Sequence, residues 1–155
     1  MIGDDVARQI TERADAYGDC AHDQALVYAC EDLCEREMPS RPLDADEARD
    51  AVTRIAHTED VDPPRVQVSN RLRRTSGAAD AENRVVHLSG PVVPLLTVVH
   101  EMAHFTSTSR GHGADFLHEM VRLTRVHVGV EHAALLHHLY LAAGLAVPPW
   151  EATGR

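Results

Sequence analysis

His100 and His104 stand four residues apart, with Glu101 directly after the first, in the run His100-Glu101-Met102-Ala103-His104. On an α-helix that spacing corresponds to ~6 Å of rise and ~40° of rotation, so both imidazoles reach one metal ion. The carboxylate following the first ligand points beside the ion, where it can take a proton from water as a general base. These residue types in this order are those of metal-assisted hydrolysis. The flanks supply the helix: Leu95, Leu96, Val98 and Val99 precede the run, Phe105 follows it, and no charged residue lies between Arg84 and Glu101. A solvated charge run does not read this way; polar groups have been placed inside an apolar helix.

A catalytic site of this kind takes a third protein ligand and keeps one position open. The metzincin pattern places its next histidine six residues after the second ligand; that position is Arg110, which excludes that class. His112 is the strongest candidate. It lies eight residues after His104, between Gly111 and Gly113, where the backbone can fold an imidazole back onto the metal. Asp115, His118 and Glu119 compete with it, Glu119 as a carboxylate ligand from a following helix. His87, His127, His132, His137 and His138 read as surface or satisfied core histidines. One of His137, His138 or Tyr140 is a candidate for stabilising an oxyanion, and Trp150 reads as packing.

The elements that must position these groups can be read from periodicity. Leu26, Val27, Cys30, Leu33 and Cys34 recur at helical spacing from Asp23 to about Glu37, before Pro39. Residues 44–58 form a second helix, with Asp44 and Glu47 as a capping box and Ala48, Ala51, Val52 and Ile55 as its stripe. After the break at Asp62-Pro63-Pro64, alternation at Val66 and Val68 and again at Val86 and Leu88 predicts two short strands flanking a polar connection that contains Gly77. Ser89-Gly90-Pro91 opens the helix bearing the motif, with Pro91 and Pro94 in its first turns. Thr106 to Gly113 is a loop, a helix starts at Ala114, and a last helix spans roughly Glu131 to Ala143. The expected fold is α+β, with a small sheet beside the active helix and the strand Arg84–Ser89 offering an edge to an extended substrate. Residues 1–21 read as a tail or frayed helix, 22–147 as a single domain, and 148–155 as a C-terminal tail.

A chain of 155 residues can bury a core without disulfide or metal staples, and with aromatics at 4% that core must be built largely from Ala, Val and Leu. The formal charge is −9, which argues against a nucleic-acid partner unless arginines are concentrated locally; Lys is absent and Arg takes its place throughout. The one arginine cluster, Arg65, Arg71, Arg73 and Arg74, reads as a solvated loop face. Cys20, Cys30 and Cys34 are an odd count, and the acidic first twenty residues hold no apolar leader segment, so reduced thiols in a cytoplasmic protein are expected. A second metal site from Cys20, His22, Cys30 and Cys34 would lack a CxxC knuckle. The most apolar stretch, Leu135 to Val147, is broken by His137 and His138, so no membrane span is expected.

Over His100–Phe116 the chain resembles the SprT-like and related zincin-like metallopeptidases, whose signature is HExxH, a variable loop, and then His-Gly-x-x-Phe. The second element is here His112-Gly113-Ala114-Asp115-Phe116. The resemblance implies a zincin-like fold, a zinc ion held by His100, His104 and His112, and Glu101 as catalytic base. Over roughly residues 22–145 the layout is similar to a small family of HExxH metallohydrolases from actinobacteria and their phages. That family carries a Val-Tyr-x-x-Glu element on an N-terminal helix, here Val27-Tyr28-Ala29-Cys30-Glu31; the arginine-rich run expected before it is Asp23-Gln24-Ala25-Leu26. SprT-like proteases that act on DNA-bound proteins add a basic or zinc-ribbon part, and this acidic chain has no paired CxxC elements, so the resemblance extends to the catalytic core and not to the DNA role. The expected function is a zinc-dependent metallohydrolase, a metallopeptidase acting on a protein or peptide substrate. The alternatives are a narrow-specificity regulatory peptidase of phage or mobile-element type, and a non-catalytic zinc-organised binding module closed by a fourth ligand such as Asp115 or His118. A structural site has no use for Glu101.

Overall fold

A computed structural model describes residues 2–70 and 77–150, and among these the chain is α+β, with six α-helices and five short strands. They fall into two compact units: the residues up to Pro39 together with those from Thr108 onward, and Ser40–Ser107. None of the helices is long and apolar enough to cross a membrane.

The first unit is helical. α1 (Ile2–Ala14) leads through a 3-10 turn at Asp15–Tyr17 to α2 (His22–Glu37), and α5 (Ala114–His127) leads to α6 (Val130–Ala142). α2 packs against α1 and α6, and α6 against α1 and α5. The segment expected to be a tail or frayed helix is therefore packed: Ile10 is fully buried, and Ala14 and Tyr17 are buried after it. Its stripe of Ile10, Ala14 and Tyr17 has helical spacing but is diluted by Asp4, Asp5, Arg8, Glu12 and Arg13, which leaves a weak local signal. The core of this unit holds Val27, Cys30, Leu33, Phe116, Met120, Leu123, Leu136 and Tyr140. Each apolar residue of this size contributes roughly 1.5–3 kcal/mol on burial.

The second unit packs the helix that carries the motif against a second helix and a small sheet. α3 (Ala45–Thr58) starts from Asp44, whose Oδ1 accepts the Glu47 N–H at 2.9 Å while Glu47 Oε2 accepts the Asp44 N–H at 3.0 Å. A cap of this kind is worth about 1 kcal/mol. The strands β2 (Arg65–Ser69), β3 (Gly77–Asp80) and β4 (Val85–Ser89) form a sheet in the order β2-β4-β3. β2 runs parallel to β4 in the register Val66↔Val86 and Val68↔Leu88, and β3 runs antiparallel to β4. The sequence predicts β2 and β4 but not β3, because Gly-Ala-Ala-Asp carries no large apolar alternation. The β3–β4 turn is closed by Asp80, whose carboxylate takes the Asn83 backbone N–H at 3.0 Å and its side-chain amide at 2.8 Å.

α4 (Leu95–Thr106) carries the motif and packs against α3 and β3. It begins at Leu95, later than the Ser89-Gly90-Pro91 opening expected from sequence. Pro94 forces Val93 into extended backbone, and Val93–Pro94 instead form the short strand β5, paired antiparallel with β1 (Pro42–Leu43). The first N–H groups of α4 find partners nearby: Leu95 donates to Arg41 O at 2.9 Å and Leu96 to Ser40 Oγ at 3.0 Å. The start of the helix is thereby fixed in position and register.

Candidate metal centre

α4 is a poor helix by propensity, since Thr97, Val98 and Val99 are β-branched. Burial holds it instead: Leu96, Val98, Val99, Met102 and Ala103 are all in the core. His100 and His104 share one stripe with ring centroids 5.1 Å apart; His100 is 2% exposed and His104 half-buried. Glu101 is 3% exposed. A buried carboxylate is costly to desolvate, and a helix needing only packing would not carry one.

Gly77, at the start of β3, explains where that carboxylate fits. A β-carbon at position 77 would stand 2.5 Å from Glu101 Oε1, 2.9 Å from its Cγ and 3.0 Å from its Cδ. Real β-carbons do not approach that closely, so the glycine leaves the space the Glu101 side chain fills. Nothing local in the sequence singles out Gly77 for this role. The far end of α4 is covered by Arg84, whose guanidinium lies 5.6 Å from the Phe105 ring centroid.

The helix stops after Thr106, where Ser107 turns extended. His112 follows in the loop before α5. Gly111 adopts φ +88°, a left-handed conformation that favours glycine, and lets the chain reverse just before the histidine. Asp115 clasps the preceding segment: its carboxylate accepts the Ser109 N–H at 2.6 Å, the Ser109 hydroxyl at 2.6 Å and the Thr108 hydroxyl at 3.1 Å. Chiefly because of the Ser109 hydroxyl, its carboxyl is held down at about 2. A depressed carboxyl stabilises the clasp above the ordinary aspartate range near ~4, and this contribution is lost only as pH falls toward 2. Asp115→Ala is expected to weaken metal binding on the order of tenfold by loosening the loop, measured by chelator competition. Unchanged affinity would show that the loop does not depend on the clasp.

The His112 ring is bracketed by two others. Phe116 lies 4.6 Å away and Tyr28 5.6 Å away, centroid to centroid, both at 69°. One ligand atom from each of His100, His104 and His112 lies within 4.8 Å of the other two, and these three form the one such group among the described residues. Zinc bonds of ~2.0–2.1 Å in a tetrahedron set nitrogens ~3.4 Å apart, a separation that small side-chain rotations reach. Three imidazole nitrogens suit a borderline-soft divalent ion.

The other candidates lie outside this group of three. Asp115 holds Ser109 and Thr108, Glu119 is paired with Arg122 at 2.8 Å, and His118 is exposed. Tyr140 is fully buried with its hydroxyl donating to Glu31 Oε1 at 3.1 Å. His137 Nε2 donates to Pro148 O at 2.8 Å, and its ring meets that of Trp150. Trp150 also packs under the Arg125 guanidinium. His87 and His138 are exposed, while His132 Nε2 is buried with no hydrogen-bond partner among the described residues. The three cysteines are free thiols. Burial pushes the Cys34 thiol up to about 12 and raises that of Cys30 as well, so both stay protonated and make poor metal ligands. Of the arginine cluster, Arg71, Arg73 and Arg74 lie outside the described residues.

Comparisons with protein-family models, with curated proteins and with solved structures find no match.

Proposed function

We propose that this chain is a zinc-dependent metallohydrolase of zincin-like type that cleaves peptide bonds. The observation that carries this is the group of three histidines within 4.8 Å of one another, with the buried Glu101 adjacent in sequence to the first of them. A zinc ion bound there supplies Lewis acidity toward a carbonyl and toward water. His100, His104 and His112 would hold the ion as neutral imidazoles. Glu101 takes the proton of the attacking water on its carboxylate as the water adds to the carbonyl carbon. It then delivers that proton to the leaving nitrogen as the C–N bond breaks.

An extended substrate strand was expected to pair with Arg84–Ser89. β4 is instead the central strand, hydrogen-bonded to β2 on one side and β3 on the other, and has no edge to offer. Among the described residues β3 is paired on one side only. Its Gly77 lies against Glu101, so β3 is the edge along which a substrate strand would run. In the alternative of a closed, non-catalytic site, Asp115 as fourth ligand would have to give up its hydrogen bonds to Ser109 and Thr108.

The test is metal content by mass spectrometry on protein purified without a histidine tag or added metal. About one zinc per chain is expected, falling at least roughly tenfold in His112→Ala. Absence of metal, with no uptake on reconstitution, would overturn the proposal.

A further inference from the structure

We infer that Tyr28 is a positioning residue for His112, setting the plane of that imidazole before a metal arrives; this rests on the metal-centre reading above. Of the three candidate ligands, His112 has the least rigid mount. His100 and His104 project from a buried helix, whereas His112 sits in a loop between Gly111 and Gly113. Its backbone does not fix its ring, so its neighbours must. Phe116, fully buried in the first turns of α5, supplies one wall, and Tyr28 on α2 supplies the other. Both meet His112 edge to face, a geometry that resists rotation of the ring about χ2 because the facing quadrupoles favour one tilt.

Tyr28 is itself held at both ends. Its hydroxyl accepts the Gln24 side-chain N–H at 3.0 Å from one turn earlier on α2. Its ring meets that of Tyr17 at 5.2 Å. Tyr17 in turn is buried, and its hydroxyl donates to Asp32 Oδ2 at 2.6 Å, the oxygen that also takes Arg13 Nε at 2.7 Å. Burial first, and Asp32 second, raise the Tyr17 phenol, so it remains the protonated donor this contact needs. A line of contacts thus runs from Arg13 and Asp32 through Tyr17 and Tyr28 to His112. Groups that orient a metal-binding histidine act on metal affinity without touching the metal.

The experiment compares wild type with Tyr28→Phe, Tyr28→Leu and Tyr28→Ala. Zinc dissociation constants come from competition with a chromophoric chelator. The His112 ring-proton resonances of the metal-free proteins are recorded by NMR, assigned by their loss in His112→Ala. Tyr28→Phe, which keeps the ring, should bind zinc within about twofold of wild type, while Tyr28→Leu and Tyr28→Ala weaken it on the order of tenfold. Tyr28→Leu preserves bulk and so guards against a variant that simply fails to fold. In both ring-deleted variants the His112 signals should move. Wild-type affinity together with unmoved His112 signals in Tyr28→Leu would overturn the inference. If wild type itself takes up no zinc, the metal-centre reading fails, and the metal-free resonances still decide whether Tyr28 sets the His112 ring.

Discussion

Glu101→Gln is expected to retain zinc at the wild-type level and to lose peptide hydrolysis by roughly 10²–10⁴-fold, the contribution of a well-placed general base. The substitution is nearly isosteric, so the packing of Glu101 against Gly77 and the core of α4 is preserved. What disappears is the capacity to accept a proton from water and return it to the leaving amine. Metal stoichiometry and turnover on a peptide library, or on proteins retained by the inactive variant, separate the two effects. Full activity with bound zinc would remove Glu101 from the mechanism. Loss of zinc in the same variant would instead show that the carboxylate supports the metal site.

Gly77→Ala should damage the same proton transfer from the opposite side. The added methyl would stand 2.5 Å from Glu101 Oε1, so either β3 retreats from α4 or the carboxylate is displaced. Overpacking of this kind costs about 1–3 kcal/mol of stability. A displacement of ~1 Å at a reacting group can cost ~10²-fold in rate. The three atoms nearest the added methyl all belong to Glu101, so the displacement falls first on the carboxylate and zinc should stay bound. A double-mutant cycle isolates the cause: in a Glu101→Ala background the carboxylate is gone, and the stability penalty of Gly77→Ala, read from urea unfolding, should largely vanish. An equal penalty in both backgrounds would mean that the alanine strains β3 itself and that Gly77 has no part in placing Glu101.

Local rules carried much of the fold. The Asp44–Glu47 capping box placed the start of α3 because both partners lie within one turn, and both hydrogen bonds are present. The 3.6-residue stripe located α2 nearly to the residue, Gly113 marked the start of α5, and period-two alternation identified β2 and β4. Failure came wherever a contact between distant residues supplied the stabilisation. β3 is a strand because Ala78 and Ala79 find partners on β4, not because its own residues favour extension. The two-residue ladder of β1 and β5 exists only as a pair, and its formation moved the start of α4 to Leu95. α1 is ordered by packing on α2 and α6 despite its dilute apolar stripe.

The candidate site divides along the same line. The order of residues along the chain carries the juxtaposition of His100, Glu101 and His104, because helical periodicity converts a spacing of four into a shared face. It ranked His112 above Asp115, His118 and Glu119, since the flanking glycines are a local property. The tertiary structure alone brought a His112 nitrogen within 4.8 Å of the other two, set Tyr28 against its ring, and laid Gly77 on Glu101. Residues 28 and 112, or 77 and 101, meet only after the chain has packed. Close-packed interiors leave no slack at such meetings, so the identity of each partner is decided by shape across space, which no window along the chain contains.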